Sequence, residues 1–197
     1  MTRMSLALLF ALGLAGPALA QDAAGTGSGI PILGDFSTGQ PRERQPGELF
    51  ELEAHGDWTV RCVTMPEGTA EPCHMYQMLR DSEGVPTAEV IFFPLGEDAQ
   101  PPLVAGAEVV TPLGTLLTAS LELQIEPREA RLYPFNVCED IGCISRIAFL
   151  EEELDALRAG TRVRVTLFAF QMPRQPVNLD ISLRGFTAAY ATLEERL

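Results

Sequence analysis

The 197-residue chain contains no lysine. Its 14 fixed positive charges are all arginine, a side chain suited to planar pairing with carboxylates. Set against 27 Asp and Glu, they leave a net charge of −13. Without lysine a phosphate-loop NTPase is excluded, because the loop needs that ammonium to reach the phosphates. The acid excess argues against nucleic acid or an anionic membrane as a partner, since both require a basic surface. Histidine is limited to His55 and His74, so any imidazole acid, base or triad must use one of them. The chain also lacks a Gly-x-Gly-x-x-Gly turn opening a helix, an Asp-rich EF-hand loop and a Cys-x-x-Cys pair. Nor does it contain the run of about 20 apolar residues that a membrane-spanning helix requires.

The longest apolar run present, Leu6–Leu14, follows Arg3 and precedes Gly16-Pro17 and Ala18-Leu19-Ala20. This is the pattern of a signal peptide over residues 1–20, with cleavage after Ala20. Loss of Arg3 with the leader takes the net charge to −14. No cysteine sits immediately after the cleavage site, so a lipoprotein anchor has no attachment residue. The reading is a periplasmic or secreted protein without a transmembrane anchor. Residues 21–48 are rich in Gly and Pro and poor in apolar side chains, a composition that cannot bury enough surface to offset ordering. They read as a flexible N-terminal arm, and residues 49–197 as one domain large enough for a core of its own.

Within that domain, apolar residues alternate with polar ones at Trp58–Cys62, Cys73–Leu79 and Leu121–Ile125, the period of half-buried strands. Ala88–Phe93, Val104–Val110, Leu113–Ala119, Arg131–Val137, Cys143–Phe149, Val163–Phe170 and Val177–Leu183 complete a set of short strands separated by turn signals. One helix is expected around residues 150–159. Glu151, Glu152 and Glu153 load its first turn, Leu150, Leu154 and Leu157 recur at helical spacing, and Gly160 is placed for a left-handed cap. A second helical turn is expected at Ala188–Leu193. Many short strands with so little helix predict an all-β fold, an antiparallel β-sandwich.

Four cysteines behind an export signal imply two structural disulfides, and three pairings are possible. Closure of Cys62 with Cys73 and of Cys138 with Cys143 is favoured, because each pair flanks turn-rich sequence. Zinc would require tighter cysteine spacing than either pair offers, so no metal or other cofactor is expected. No local signature marks a catalytic nucleophile. Ser82, Ser120, Ser145 and Ser182 are available to the two histidines, but none sits in a Gly-x-Ser-x-Gly elbow. No catalytic residue is assigned, and the chain is read as a non-enzyme.

The stretches Gly56-Asp57-Trp58-Thr59-Val60-Arg61-Cys62 and Pro134-Phe135-Asn136-Val137-Cys138-Glu139-Asp140-Ile141-Gly142-Cys143 resemble the invasion-associated locus B family of exported bacterial proteins. Further matches fall at Cys73, Pro112-Leu113-Gly114, Leu157, Gly160, Ser182-Leu183, Gly185-Phe186 and Ala189. The resemblance implies an immunoglobulin-like sandwich and an exported protein that contacts other macromolecules. It carries over no catalytic or binding residue. The expected function is a disulfide-stabilised binding module for an unknown protein or envelope component, with a host-cell role implied by the family. The alternative is a small-molecule binder with a pocket between the sheets. Loops rigidified by the bridges are the expected partner face: Met65, Pro66 and Glu67 in one, Glu139, Asp140 and Ile141 in the other. Trp58 is expected to be buried against a bridge.

Overall fold

The computed structural model describes residues 38–96 and 100–196, so the leader and residues 21–37 of the arm lie outside the described residues. The chain divides into two units, Met1–Arg42 and Glu43–Leu197, and the second carries the regular structure. Two antiparallel sheets make it up. The larger contains β1 (Leu49–His55), β2 (Trp58–Val63), β3 (Cys73–Arg80), β4 (Pro86–Pro94), β5 (Leu103–Thr111), β8 (Val137–Glu139) and β9 (Gly142–Leu150), in the order β1-β2-β3-β4-β5-β9-β8. The smaller contains β6 (Leu121–Ile125), β7 (Arg131–Tyr133), β10 (Arg162–Ala169) and β11 (Met172–Ser182), in the order β11-β10-β6-β7. Two helices, α1 (Glu151–Ala159) and α2 (Phe186–Glu194), complete the described elements.

The alternation read from the sequence sets the faces. Along β2 Trp58, Val60 and Cys62 are buried, and along β6 Leu121, Leu123 and Ile125. Between the sheets the rings of Trp58, Phe92, Phe149, Phe186 and Tyr190 pack with centroids 5.0–6.4 Å apart, mostly edge to face, the arrangement aromatic quadrupoles prefer. Phe186, Ala189, Tyr190 and Leu193 form the buried stripe of α2, at the spacing of one helical face. The void lined by Trp58, Phe92, Leu123, Phe149, Val163 and Phe186 measures about 20 Å³. That is far below the size of a ligand pocket, about 300–1,000 Å³.

Both disulfides join directly opposed residues of neighbouring antiparallel strands. Cys62 pairs with Cys73 across β2 and β3, and Cys138 with Cys143 across β8 and β9. The expected helix at 150–159 is α1, and its three glutamates divide the work of its N-terminus. The Glu153 carboxylate accepts the Leu150 N–H at 3.0 Å and pairs with Arg131 at 2.5 Å, while Glu151 faces Arg158 and Glu152 faces Arg128. Acceptors at this end satisfy free N–H groups and complement the helix dipole.

The expected elements need four corrections. Leu113–Ala119 is a loop ending in a 3₁₀ turn at Leu117–Ala119; it meets β10 through the bridge between Thr115 and Ala169 and β5 through a hydrogen bond between the Thr115 and Thr111 hydroxyls. Arg131–Val137 is broken at Pro134 into β7 and β8, which belong to different sheets. β1 has no counterpart among the expected strands; it is an edge strand with neither face buried, so its sequence carries no clean alternation. Gly160 has φ −80° and is not a left-handed cap; a Cβ there would press on the Ala156 carbonyl and on Leu183.

Candidate interaction surface

The two ends of β11 differ in kind. At its C-terminal end, the turn His55-Gly56-Asp57-Trp58 is clasped against Ser182-Leu183-Arg184-Gly185-Phe186. Gly56 (φ +60°) and Gly185 (φ +89°) lie back to back. A Cβ on Gly56 would overlap the Arg184 carbonyl, and one on Gly185 the His55 carbonyl. Only glycine meets both the positive φ and the close approach. The Asp57 N–H donates to the Arg184 carbonyl at 3.0 Å. The Asp57 carboxylate accepts the Arg184 guanidinium in bidentate fashion and the Ser182 hydroxyl at 2.6 Å. These donors, Arg184 first, hold the Asp57 carboxyl below its ordinary value.

The same end welds one sheet to the other. Gln77 of β3 donates its Nε2 to the Ser182 carbonyl at 3.0 Å and accepts the Ser182 N–H on its Oε1 at 2.8 Å. Trp58 Nε1 donates to that carbonyl as well, at 2.8 Å. A side-chain amide here does what a neighbouring strand would do. The indole is buried as expected, but its ring partners are Phe92 and Phe186.

The N-terminal end of β11 is open. There the loop after β5 lies along the end of β10, with the Leu116 N–H donating to the Phe168 carbonyl and the Phe170 N–H to the Gly114 carbonyl, both at 2.7 Å. This brings together Leu113 (62% exposed), Leu117 (45%), Phe170 (71%) and Met172 (51%). No acid occurs between Glu108 and Glu122 or between Asp155 and Asp180, so the tip is apolar and free of carboxylates in a strongly acidic chain. Arg174, exposed beside it, takes no part in the ion pairs that engage Arg162, Arg164 and Arg184. Contiguous exposed apolar side chains are uncommon on soluble domains and mark contact sites. Sequence reasoning misses this tip because Leu113–Ala119 reads as a strand, whose leucines would be inside.

The expected partner face is divided. Pairing of β2 with β3 puts Met65, Pro66 and Glu67 at the end of the large sheet where β4 gives way to β5. Pairing of β5 with β9 puts Glu139, Asp140 and Ile141 at the opposite end and beyond the opposite side of β5. Pro66, Glu67, Glu139, Asp140 and Ile141 are exposed and Met65 partly so, but the two loops do not form one surface.

Among the described residues no hydrogen bond joins a histidine to a serine. His55 Nε2 pairs with the Thr192 hydroxyl at 3.1 Å, the Ser182 hydroxyl is given to Asp57, and the Ser145 hydroxyl to the Pro134 carbonyl. His74 on β3 is half-buried, and burial, then the nearby Arg61, pushes its pKa down. Burial pushes the Tyr190 phenol up to about 12. Among the described residues no cluster of three His, Cys, Asp or Glu is arranged to hold a metal, and no helix is long and apolar enough to cross a membrane.

Sheets, clasp and bridges together define a disulfide-stapled antiparallel β-sandwich with two short helices, packed solid between its layers. The profile of the Invasion associated locus B (IalB) protein family matches residues 58–194, beginning at the clasp tryptophan and ending with α2. The chain belongs to this family. Two Brucella abortus proteins described as invasion protein B homologs, from strain 2308 and from biovar 1 strain 9-941, are each 32% identical over 149 residues. That stretch covers 73% of this chain and 80% of the relative. The crystal structure of invasion associated protein B from Bartonella henselae is similar in fold, with a TM-score of 0.59 at 24% identity over 73% of this chain and 94% of that one.

Proposed function

We propose that the protein is an exported, non-enzymatic binding module of the bacterial envelope or secreted fraction, released by cleavage after Ala20, and that it meets its partner through the apolar tip. The observation that carries this reading is the contrast between a filled core and an uncovered apolar cluster. The core void of about 20 Å³ leaves no room for a small molecule, since ligand pockets measure about 300–1,000 Å³ and are mostly apolar. The cleft of about 570 Å³ between β3 and β11 is open and lined mainly by polar side chains. Leu113, Leu117, Phe170 and Met172, by contrast, stand in water with no internal reason to do so. Partner surfaces place apolar and aromatic anchors of this kind at their centre and surround them with polar residues.

The test is affinity capture after cross-linking, with tagged mature protein in the envelope of its native bacterium. A reproducible protein partner retained by the wild type and lost by the double variant Leu113→Ser/Phe170→Ser is expected. Equal capture by both proteins overturns the tip. Absence of any protein partner, with a small molecule retained in native mass spectrometry, overturns the module.

A further inference from the structure

β11 is the edge strand of the smaller sheet, and its inner side pairs with β10. Backbone groups of a strand point alternately to its two sides. Leu183 donates its N–H to the Thr161 carbonyl on the inner side at 3.0 Å, whereas both backbone groups of Ser182 are turned outward to Gln77. Counting back by twos, Asp180 and Asn178 also turn their N–H and C=O groups outward. Among the described residues no strand of the smaller sheet lies beyond them, and both are exposed. The Gln77 amide thus occupies the first position of a ladder whose next two positions are open. They border a cleft of about 570 Å³ that Tyr76, Met78, Arg80 and Asp81 line on the other side. The open stretch is short, because Pro176 has no N–H to offer at the following outward position. Asp81 and Asp180 on the cleft, in a chain of net charge −13, disfavour an acidic occupant.

We propose that this edge is a strand-addition site. An extended, neutral or basic segment of another protein pairs antiparallel or parallel with β11 at Asn178 and Asp180 and continues the ladder that Gln77 begins. Main-chain pairing of this kind supplies affinity with little demand on sequence. Proline at 176 and the side-chain plug at 182 limit pairing to one short stretch, which keeps an otherwise free edge from aggregating. The inference rests on the binding-module reading and names the form in which a partner is held.

The probe is a phage-displayed library of random 12-residue peptides, selected against the intact mature protein. Selected peptides are then measured on the wild type, Asp180→Pro and Asp180→Asn by titration. Proline removes the outward N–H together with the carboxylate that faces Arg162 and Arg164, and it fixes φ. Asparagine keeps the N–H and removes only the charge, so the difference between the two variants reports the backbone. The expected result is a tenfold or greater loss of affinity in Asp180→Pro, near-wild-type binding in Asp180→Asn, and amide-exchange protection at Asn178 and Asp180 in the wild-type complex. The exchange measurement stands should the proline variant fail to fold. Equal binding to Asp180→Pro, protection elsewhere, or failure to select any binding peptide overturns the site. So does formation of a dimer through β11 that excludes peptide. Partner capture lost in Leu113→Ser/Phe170→Ser but intact in Asp180→Pro would overturn the edge and leave the binding module standing.

Discussion

One strand, β11, has a closed end and an open end. At Ser182 every polar group has a partner, two glycines touch back to back, and an indole and an amide bind the sheets together. At Met172 four apolar side chains stand exposed beside an arginine outside the neighbouring ion pairs. Of the sequence features that mark the family, residues 56–62, Ser182-Leu183 and Gly185-Phe186 lie at the closed end, whereas Pro112-Leu113-Gly114 lies at the open one. The chemistry at the closed end is that of fold specification, so being easily recognised does not by itself mark a residue as offered to a partner.

Alanine at position 185 should break the comparison most severely. Gly185→Ala forces a Cβ into the His55 carbonyl at positive φ and is expected to cost about 4 kcal/mol or more, to the point of preventing folding. Gly114→Ala at the open end, also at positive φ but facing empty space, should cost only about 1 kcal/mol. Urea denaturation of the two variants measures the difference, and equal costs would refute it.

A smaller effect is expected from Gln77→Leu, which keeps most of the side chain's bulk but leaves the Ser182 N–H without its acceptor. A loss of about 2 kcal/mol should follow, with α2 retained by circular dichroism.

Acid should loosen the domain in two steps. The pKa of His74 is depressed by burial and by Arg61, against the pull of Glu108 and Glu89. The folded state therefore takes up its proton later than the unfolded chain. The stability this represents is complete above the unfolded value of 6.5 and declines as pH falls below it, through the depressed folded value. Asp57, also depressed, acts the same way at lower pH: its contribution is present above 3.8 and is lost as pH falls through its folded value. Melting temperatures should fall in both windows for the wild type. His74→Gln should lack the upper step and Asp57→Asn the lower, whereas a single step unchanged in both variants would contradict the assignment.

Much of the fold is legible in the sequence because burial on one face of a strand writes a period of two. β2, β3 and β6 follow from it, and the stripes of both helices follow from the corresponding 3.6-residue period. What escapes has no such asymmetry. β1 turns Glu51, Leu52 and Glu53 alike to solvent, so nothing in its pattern distinguishes an inside. The run Pro112-Leu113-Gly114-Thr115-Leu116-Leu117 has the composition of a buried strand, yet its leucines at 113 and 117 face outward. Composition cannot separate an apolar residue covered by its own chain from one waiting for a partner. The two bridged loops are legible singly, but their separation depends on strand order, which no local pattern records.

The smallest effect on stability and the largest on function are expected at the same residue. Phe170→Ser should change folding stability by no more than about 0.5 kcal/mol, because the ring is already in water. The most direct test of the account places a photo-activated cross-linking amino acid at position 170 or at position 139 and irradiates each protein in the native envelope. The account predicts one protein adduct from position 170 and none from position 139. An adduct from position 139 alone, or identical adducts from both, would contradict it.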